Sequence, residues 1–191
     1  MTLNTFRSNL NQPTLNSLIL EDKIEKYSIN QRRYLGNKYK VLNLIDKVIK
    51  EKVSQFETFC DIFAGTGVVG HFYSKENKKI ISNDLLYSNY ISIYSFLGVQ
   101  NINKDKIEEL LKEFNKLDIK EDNYVSYHFG DRFFSHKIAK KIGYIREKID
   151  NLFLSKYINF DEKTILLSSL LYGIVDWHKK QLELSWFSQS I

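Results

Sequence analysis

A chain of 191 residues can bury one full core and hardly two. With 43% hydrophobic, 27% charged and 14% aromatic residues, its composition is that of a packed globular protein and excludes a disordered or fibrous one. The formal net charge of +5 suits an anionic partner such as nucleic acid, or follows simply from a composition rich in lysine, asparagine and isoleucine.

In chain order, residues 1–30 are polar, contain the lone proline (Pro13) and lack sustained periodicity. They predict a mobile arm with one short helix near Leu15 to Lys26. No apolar core follows a basic region at the N-terminus, so no secretory signal is read there. From Lys38 to Val53, Val41, Leu42, Ile45, Val48 and Ile49 fall at helical spacing. A strand fits Thr58 to Phe63, and its lone cysteine, Cys60, is expected to pack in the core of a protein from a reducing compartment. A glycine turn and a helix through Tyr73 follow. Lys79 to Asn83 form a second short strand ending at Asp84, which makes a strand–helix–strand unit with a parallel pair and a right-handed crossover.

Beyond Asp84 the pattern turns helical. Ile107, Leu110, Leu111, Phe114 and Leu117 form one stripe, and Ile138, Ile142, Ile145, Ile149 and Leu152 another. Both read as core seams. Asp161 is expected to cap a last helix running through Leu182. The longest apolar run, Ile165 to Val175, carries two serines and is too short to cross a bilayer, so the expectation is a cytoplasmic protein. His178, near Asp176 and Glu183, reads as surface, and Asp131-Arg132 beside two phenylalanines as a loop before a helix.

The stretch Phe59-Cys60-Asp61-Ile62-Phe63-Ala64-Gly65-Thr66-Gly67-Val68-Val69-Gly70 carries the chemistry. Gly65, Gly67 and Gly70 spell G-x-G-x-x-G between a strand and a helix, the pattern of a nucleotide cradle. Glycine lets the backbone approach a ligand, and the helix start offers unpaired N–H groups. Asp84 is placed to accept from both ribose hydroxyls, or alternatively to cap a helix. Two ligand classes fit: a nicotinamide or flavin dinucleotide, and S-adenosylmethionine. A carboxylate at Asp61 repels a pyrophosphate and suits the ammonium and sulfonium of the methyl donor.

Asp61-x-Phe63-x-Gly65-Thr66-Gly67 resembles the first motif of the Dam-like adenine-specific DNA methyltransferases. Upstream, Arg33-Tyr34-Leu35-Gly36-Asn37-Lys38 is similar to that family's Tyr-x-Gly-(Gly or Asn)-Lys motif, and Ser82-Asn83-Asp84 to its second motif. Phe133-Phe134-Ser135…Ala139…Ile142…Ile145-Arg146…Ile149 resembles a helical stretch of one branch. The resemblance spans about Arg32 to Leu171. It implies an α/β, S-adenosylmethionine-dependent methyltransferase-like Rossmann fold, with an arm over 1–30, a donor-binding core over 31–100 and a helical extension over 101–191, the start of the region preceding target recognition. The implied donor-binding residues are Tyr34, Gly36, Asn37, Lys38, Asp61, Phe63, Gly65, Gly67 and Asp84. Gly36, Asn37 and Lys38 would lie at the methionine end, with Lys38 near the donor carboxylate or the target base, and Asp84 would hold the ribose. Arg32, Arg33, Lys38 and Lys40 cluster and could contact phosphate, or form a solvated face.

These enzymes resemble one another in a further motif, (Asp/Asn/Ser)-Pro-Pro-aromatic, ending a fourth strand. It holds the adenine amine and stacks on the flipped base. With Pro13 its lone proline, this sequence cannot contain that motif. The expectation is therefore an incomplete sheet with an uncovered apolar edge and face, poor solubility and no catalytic residues of its own. The lineage's function is adenine methylation of double-stranded DNA in a restriction–modification system, alongside a cognate restriction endonuclease. The chain reads as a truncated enzyme, inactive alone. The alternatives are a non-catalytic S-adenosylmethionine- or DNA-binding subunit of a split methyltransferase, whose partner chain supplies the catalytic motif, and an NAD-binding oxidoreductase.

Overall fold

The structure, a computed structural model, describes residues 5–6 and 38–176. The chain divides into two units at Gln100/Asn101.

In the first unit a single 3-10 turn, Lys38–Val41, leads into α1 (Leu42–Lys52). Then follow β2 (Thr58–Asp61), α2 (Val68–Ser74), β3 (Lys79–Ser82) and α3 (Tyr87–Leu97). β2 and β3 pair in parallel with Phe59 opposite Ile80 and Asp61 opposite Ser82, as the strand–helix–strand pattern predicts. Thr5–Phe6, within the expected arm, form a two-residue strand β1 that pairs antiparallel with Ile81 and Ile80, giving the order β1-β3-β2. The expected helix near Leu15 to Lys26 lies outside the described residues.

One face of the sheet is covered. Leu42, Val68, Val69, Tyr73 and Ile80 form a core against which Ile45, Ile49, Phe56, Phe59 and Phe72 pack. Helical spacing puts Leu42, Ile45 and Ile49 of α1 on that side. The Tyr73 ring stacks on Phe59, and its hydroxyl donates to Asp46 on α1, so α2 is tied to both neighbours. On β2, Cys60 takes the face opposite to the one expected. Thr58 and Cys60 point outward and Cys60 is exposed, not a core residue. The reason is side-chain parity: Phe59 takes the covered face, and Cys60, one residue on, must take the other.

The second unit is helical: α4 (Lys104–Lys116), α5 (Tyr124–Phe129), α6 (His136–Leu154) and α7 (Phe160–Asp176). Both apolar stripes are seams, with Ile107, Leu110, Leu111, Phe114, Ile142, Ile145 and Ile149 buried, and Leu117, Ile138 and Leu152 half-buried at their ends. The cap of α7 is Asn159 rather than Asp161. The Asn159 side chain accepts from the Glu162 N–H at 2.9 Å, and the Glu162 carboxylate accepts from the Asn159 N–H at 2.8 Å. Asp161 instead accepts from the Asn101 N–H. The predicted continuation of α7 to Leu182 lies outside the described residues, as do His178 and Glu183.

Candidate functional site: the glycine loop at the strand exits

The loop from Ile62 to Gly67 leaves β2 where β3 also ends, and backbone bonds fasten it there. The Asn83 N–H donates to the Asp61 carbonyl, the Ala64 N–H donates to the Asn83 carbonyl, and the Asn83 side-chain amide donates to the Ile62 carbonyl at 2.9 Å. Gly67 N–H closes a tight turn onto the Ala64 carbonyl. Ala64 and Thr66 are buried under the loop. Gly65 and Gly67 adopt φ of +57° and +81°, and Gly67 starts α2 with no side-chain cap.

The three glycines do different work. A Cβ on Gly70 would lie 3.0 Å from Ile80 Cγ2 and 3.2 Å from Ser82 Oγ, so this glycine lets α2 lie close on β3. A Cβ on Gly65 would meet nothing within 4 Å. Left-handed backbone alone does not demand glycine, because Asn77, Asp131 and Lys156 adopt φ of +57° to +62° in this same chain. Open space above a fixed loop is what a cradle for a ligand requires.

Asp84 is locked beside Gly65. Its Oδ2 accepts the Gly65 N–H at 2.8 Å, and its Oδ1 accepts the Leu86 N–H and the Asn89 side-chain amide, each at 2.9 Å. Burial opposes its ionisation, but the bonds from Leu86, Asn89 and Gly65, with the Lys38 charge, outweigh it and hold the carboxyl below its ordinary value. Asp84 is therefore a fixed anion. It begins a turn into α3 and does not cap that helix, whose N-cap is Leu86. Three donors already sit on a carboxylate with about four acceptor sites. Asn83 belongs to the Ser82-Asn83-Asp84 motif, whereas Asn89, in the first turn of α3 and buried, was not singled out by motif.

Asp61 also has a partner. The Lys38 ammonium donates to both its oxygens, at 3.1 and 3.0 Å, and to the Phe63 carbonyl at 2.6 Å. Lys38 and Asp61, 23 residues apart, are thus brought together as expected of one site. Their pairing also removes the charge argument against a dinucleotide, because the tip of β2 carries no net charge. Around the loop stand exposed apolar side chains: Phe63 is 76% exposed and Leu85, next to Asp84, is 91% exposed. Tyr34, Gly36 and Asn37 lie outside the described residues, with Arg32 and Arg33. Asp131 builds the turn before α6, accepting the His136 N–H, as the loop reading expects.

A parallel strand pair joined through a glycine loop and a helix, with a fixed carboxylate at the second strand's end, defines a mixed α/β protein. Residues 34–177 match the family description "D12 class N6 adenine-specific DNA methyltransferase", and the chain belongs to that family. It is similar to modification methylase LlaI of Lactococcus lactis subsp. lactis, 33% identical over 156 residues, covering 74% of this chain and 25% of that protein. It is also 33% identical to the type II methyltransferase M.NlaIII of Neisseria lactamica, over 73% of this chain and 44% of that protein. With M.FokI of Planomicrobium okeanokoites the identity is 27%, over 74% of this chain and 24% of that protein. The chain thus spans from 24% to 44% of the length of these relatives. No solved structure matches it significantly. Methyltransferases of this family use S-adenosylmethionine. Among the described residues no helix is long and apolar enough to cross a membrane.

Proposed function

We propose that this chain forms the methyl-donor site of an adenine-specific DNA methyltransferase with a Rossmann-like core. The observation that carries the reading is the open side of Gly65 beside the anchored carboxylate of Asp84. Bound there, S-adenosylmethionine supplies an electrophilic methyl group for the exocyclic amine of adenine in double-stranded DNA. The chain's residues position it: Asp84 takes a ribose hydroxyl, Gly65 and Gly67 admit the ligand against the backbone, and exposed Leu85 and Phe63 offer apolar surface to its base and chain. Tyr34, Gly36 and Asn37 are assigned to the same site by the family motif alone.

The residues that hold the target amine are not in this sequence, whose lone proline is Pro13. In a second reading within the same family, the chain is the donor-binding part of an enzyme whose Pro-Pro-aromatic motif lies outside these 191 residues, as on a partner chain. β2 bonds only to β3 among the described residues, and a strand added parallel at its other edge would end beside Asp61. Relatives named modification methylase and type II methyltransferase support a role in a restriction–modification system with a cognate endonuclease. The test is ultraviolet cross-linking of radiolabelled S-adenosylmethionine to the purified chain. Labelling suppressed by excess S-adenosylhomocysteine and indifferent to NAD supports the reading; labelling suppressed by NAD, or none at all, overturns it.

A further inference from the structure

Of the donors on Asp84, the Gly65 and Leu86 N–H groups belong to the backbone and the Asn89 amide to a side chain. The backbone groups come with the course of the chain, and any residue but proline would offer them. The Asn89 amide, 2.9 Å from Asp84 Oδ1, depends on residue type. Asn89 is 3% exposed, and its own N–H donates to the Leu86 carbonyl at 3.0 Å. Its helix, α3, packs on the glycine loop, with Ile93 and Ala64 in one small core joined by Tyr90, Tyr94 and Leu97. Gly65 and Leu86 lie in a loop and a turn, so Asn89 is the donor to Asp84 that is anchored in a helix. Burying an amide costs free energy that packing does not require, since leucine has the same branched shape. What this amide does is hold a carboxylate.

We propose that Asn89 is a positioning residue for ribose recognition: it holds Asp84 in the orientation that meets a ligand's ribose hydroxyls beside Gly65. The inference rests on the donor-site reading above and names the residue on which the ribose selectivity of that site depends. The Gly65, Leu86 and Asn89 contacts are all donors, so Asp84 faces the ligand as an acceptor. It takes a hydroxyl and repels a phosphate. Removing the Asn89 amide leaves a carboxylate held only by a loop and a turn, with less of its charge compensated. A ligand hydroxyl then has to order the carboxylate as it binds, and affinity falls by the cost of that ordering. A ligand without ribose hydroxyls has nothing to lose.

Calorimetry on the full chain tests this with S-adenosylhomocysteine and its dideoxy analogue, which lacks both ribose hydroxyls. Asn89→Leu weakens S-adenosylhomocysteine about tenfold and leaves the affinity of the dideoxy analogue as in wild type. Asn89→Asp keeps the shape and lets pH decide. While the introduced carboxyl holds a proton, it donates to Asp84 in place of the amide; once ionised, it repels Asp84. The affinity of Asn89→Asp for S-adenosylhomocysteine therefore rises about tenfold as pH falls from about 8 to about 5, and wild type changes little. The other titratable groups about Asp84 and Asn89 are Lys38, whose charge reaches Asp84, its partner Asp61, and the Tyr87 and Tyr90 phenols of α3. They are common to both proteins and cancel in the comparison. Equal weakening of both ligands by Asn89→Leu, weakening of neither, or an Asn89→Asp profile parallel to wild type overturns the inference and leaves the donor site standing. If Asn89→Leu does not fold, the Asn89→Asp profile decides alone. Failure of S-adenosylhomocysteine to bind the wild type overturns the donor site itself and the inference with it.

Discussion

Gly65 and Gly70 belong to one motif and answer to different physics. Because open space lies where a Gly65 side chain would go, Gly65→Asn should leave unfolding within about 1 kcal/mol of wild type, asparagine being at ease in left-handed backbone. Chemical denaturation checks this. Gly70→Val drives methyls into Ile80 and Ser82 and should cost about 1–3 kcal/mol in the same measurement. His71, on α2, is pushed down to about 4 by burial, with the Lys75 charge adding to it. The unfolded chain protonates it near 6.5, so its neutral, folded form is fully favoured above that pH, and stability falls as pH drops from about 6.5 to 4. Thermal melts of His71→Gln should show a flatter profile across that window; an identical profile would contradict the assignment. At this scale the sequence assigns Lys38, Asp61, Gly65 and Asp84 to one expected site and pairs none of them with another. It did not tell that both carboxylates arrive already bonded, since a motif records residue types and not the donors that packing brings to them.

Beside its apolar seams, the helical unit is tied by one buried carboxylate. Glu162, 2% exposed, takes the Lys106 ammonium at 2.7 Å and the N–H groups of Asn103 and Asn159 at 3.1 and 2.8 Å, stitching α7 to the start of α4. Burial opposes its ionisation, but the bonds from Lys106, Asn159 and Asn103 prevail, and the carboxyl is held below its ordinary value of 4.5. Its contribution is therefore present above that value and lost as pH falls through the lower folded one. Glu162→Gln leaves Lys106 without its counter-charge and should cost about 3–5 kcal/mol, measured by urea unfolding, with the loss disappearing in acid. The isoleucine stripes of α4 and α6 were legible because helical periodicity is local. The cap of α7 was not read correctly, since Asn159 and Asp161 are both cap-forming residues and only the reciprocal bonds of Asn159 with Glu162 decide between them. The face taken by Cys60 depends on which side α1 and α2 cover, which strand alternation alone does not encode.

Across the whole chain the charge is unevenly spread. Residues 101–176 hold equal numbers of basic and acidic side chains, and the positive excess lies in 1–100 and 177–191. Any electrostatic hold on DNA belongs to those parts, and should weaken steeply with salt. Val41, at the end of the 3-10 turn, and Leu44 and Val48 of α1 stand outward, an apolar stripe along a helix whose other side already faces the core. Leu44→Lys combined with Val48→Lys should raise the soluble concentration at little cost in melting temperature, the reverse being expected if these residues pack in solution. Methyl transfer to adenine-containing duplex DNA by the chain alone should be absent, since no Pro-Pro-aromatic motif is present to hold the amine. The most direct test of the donor site is isothermal titration of S-adenosylmethionine into wild type and Gly65→Asn. The account predicts one saturable site on the wild type and an affinity at least about tenfold weaker on the folded variant. Equal binding by the two proteins, or none by the wild type, would contradict it.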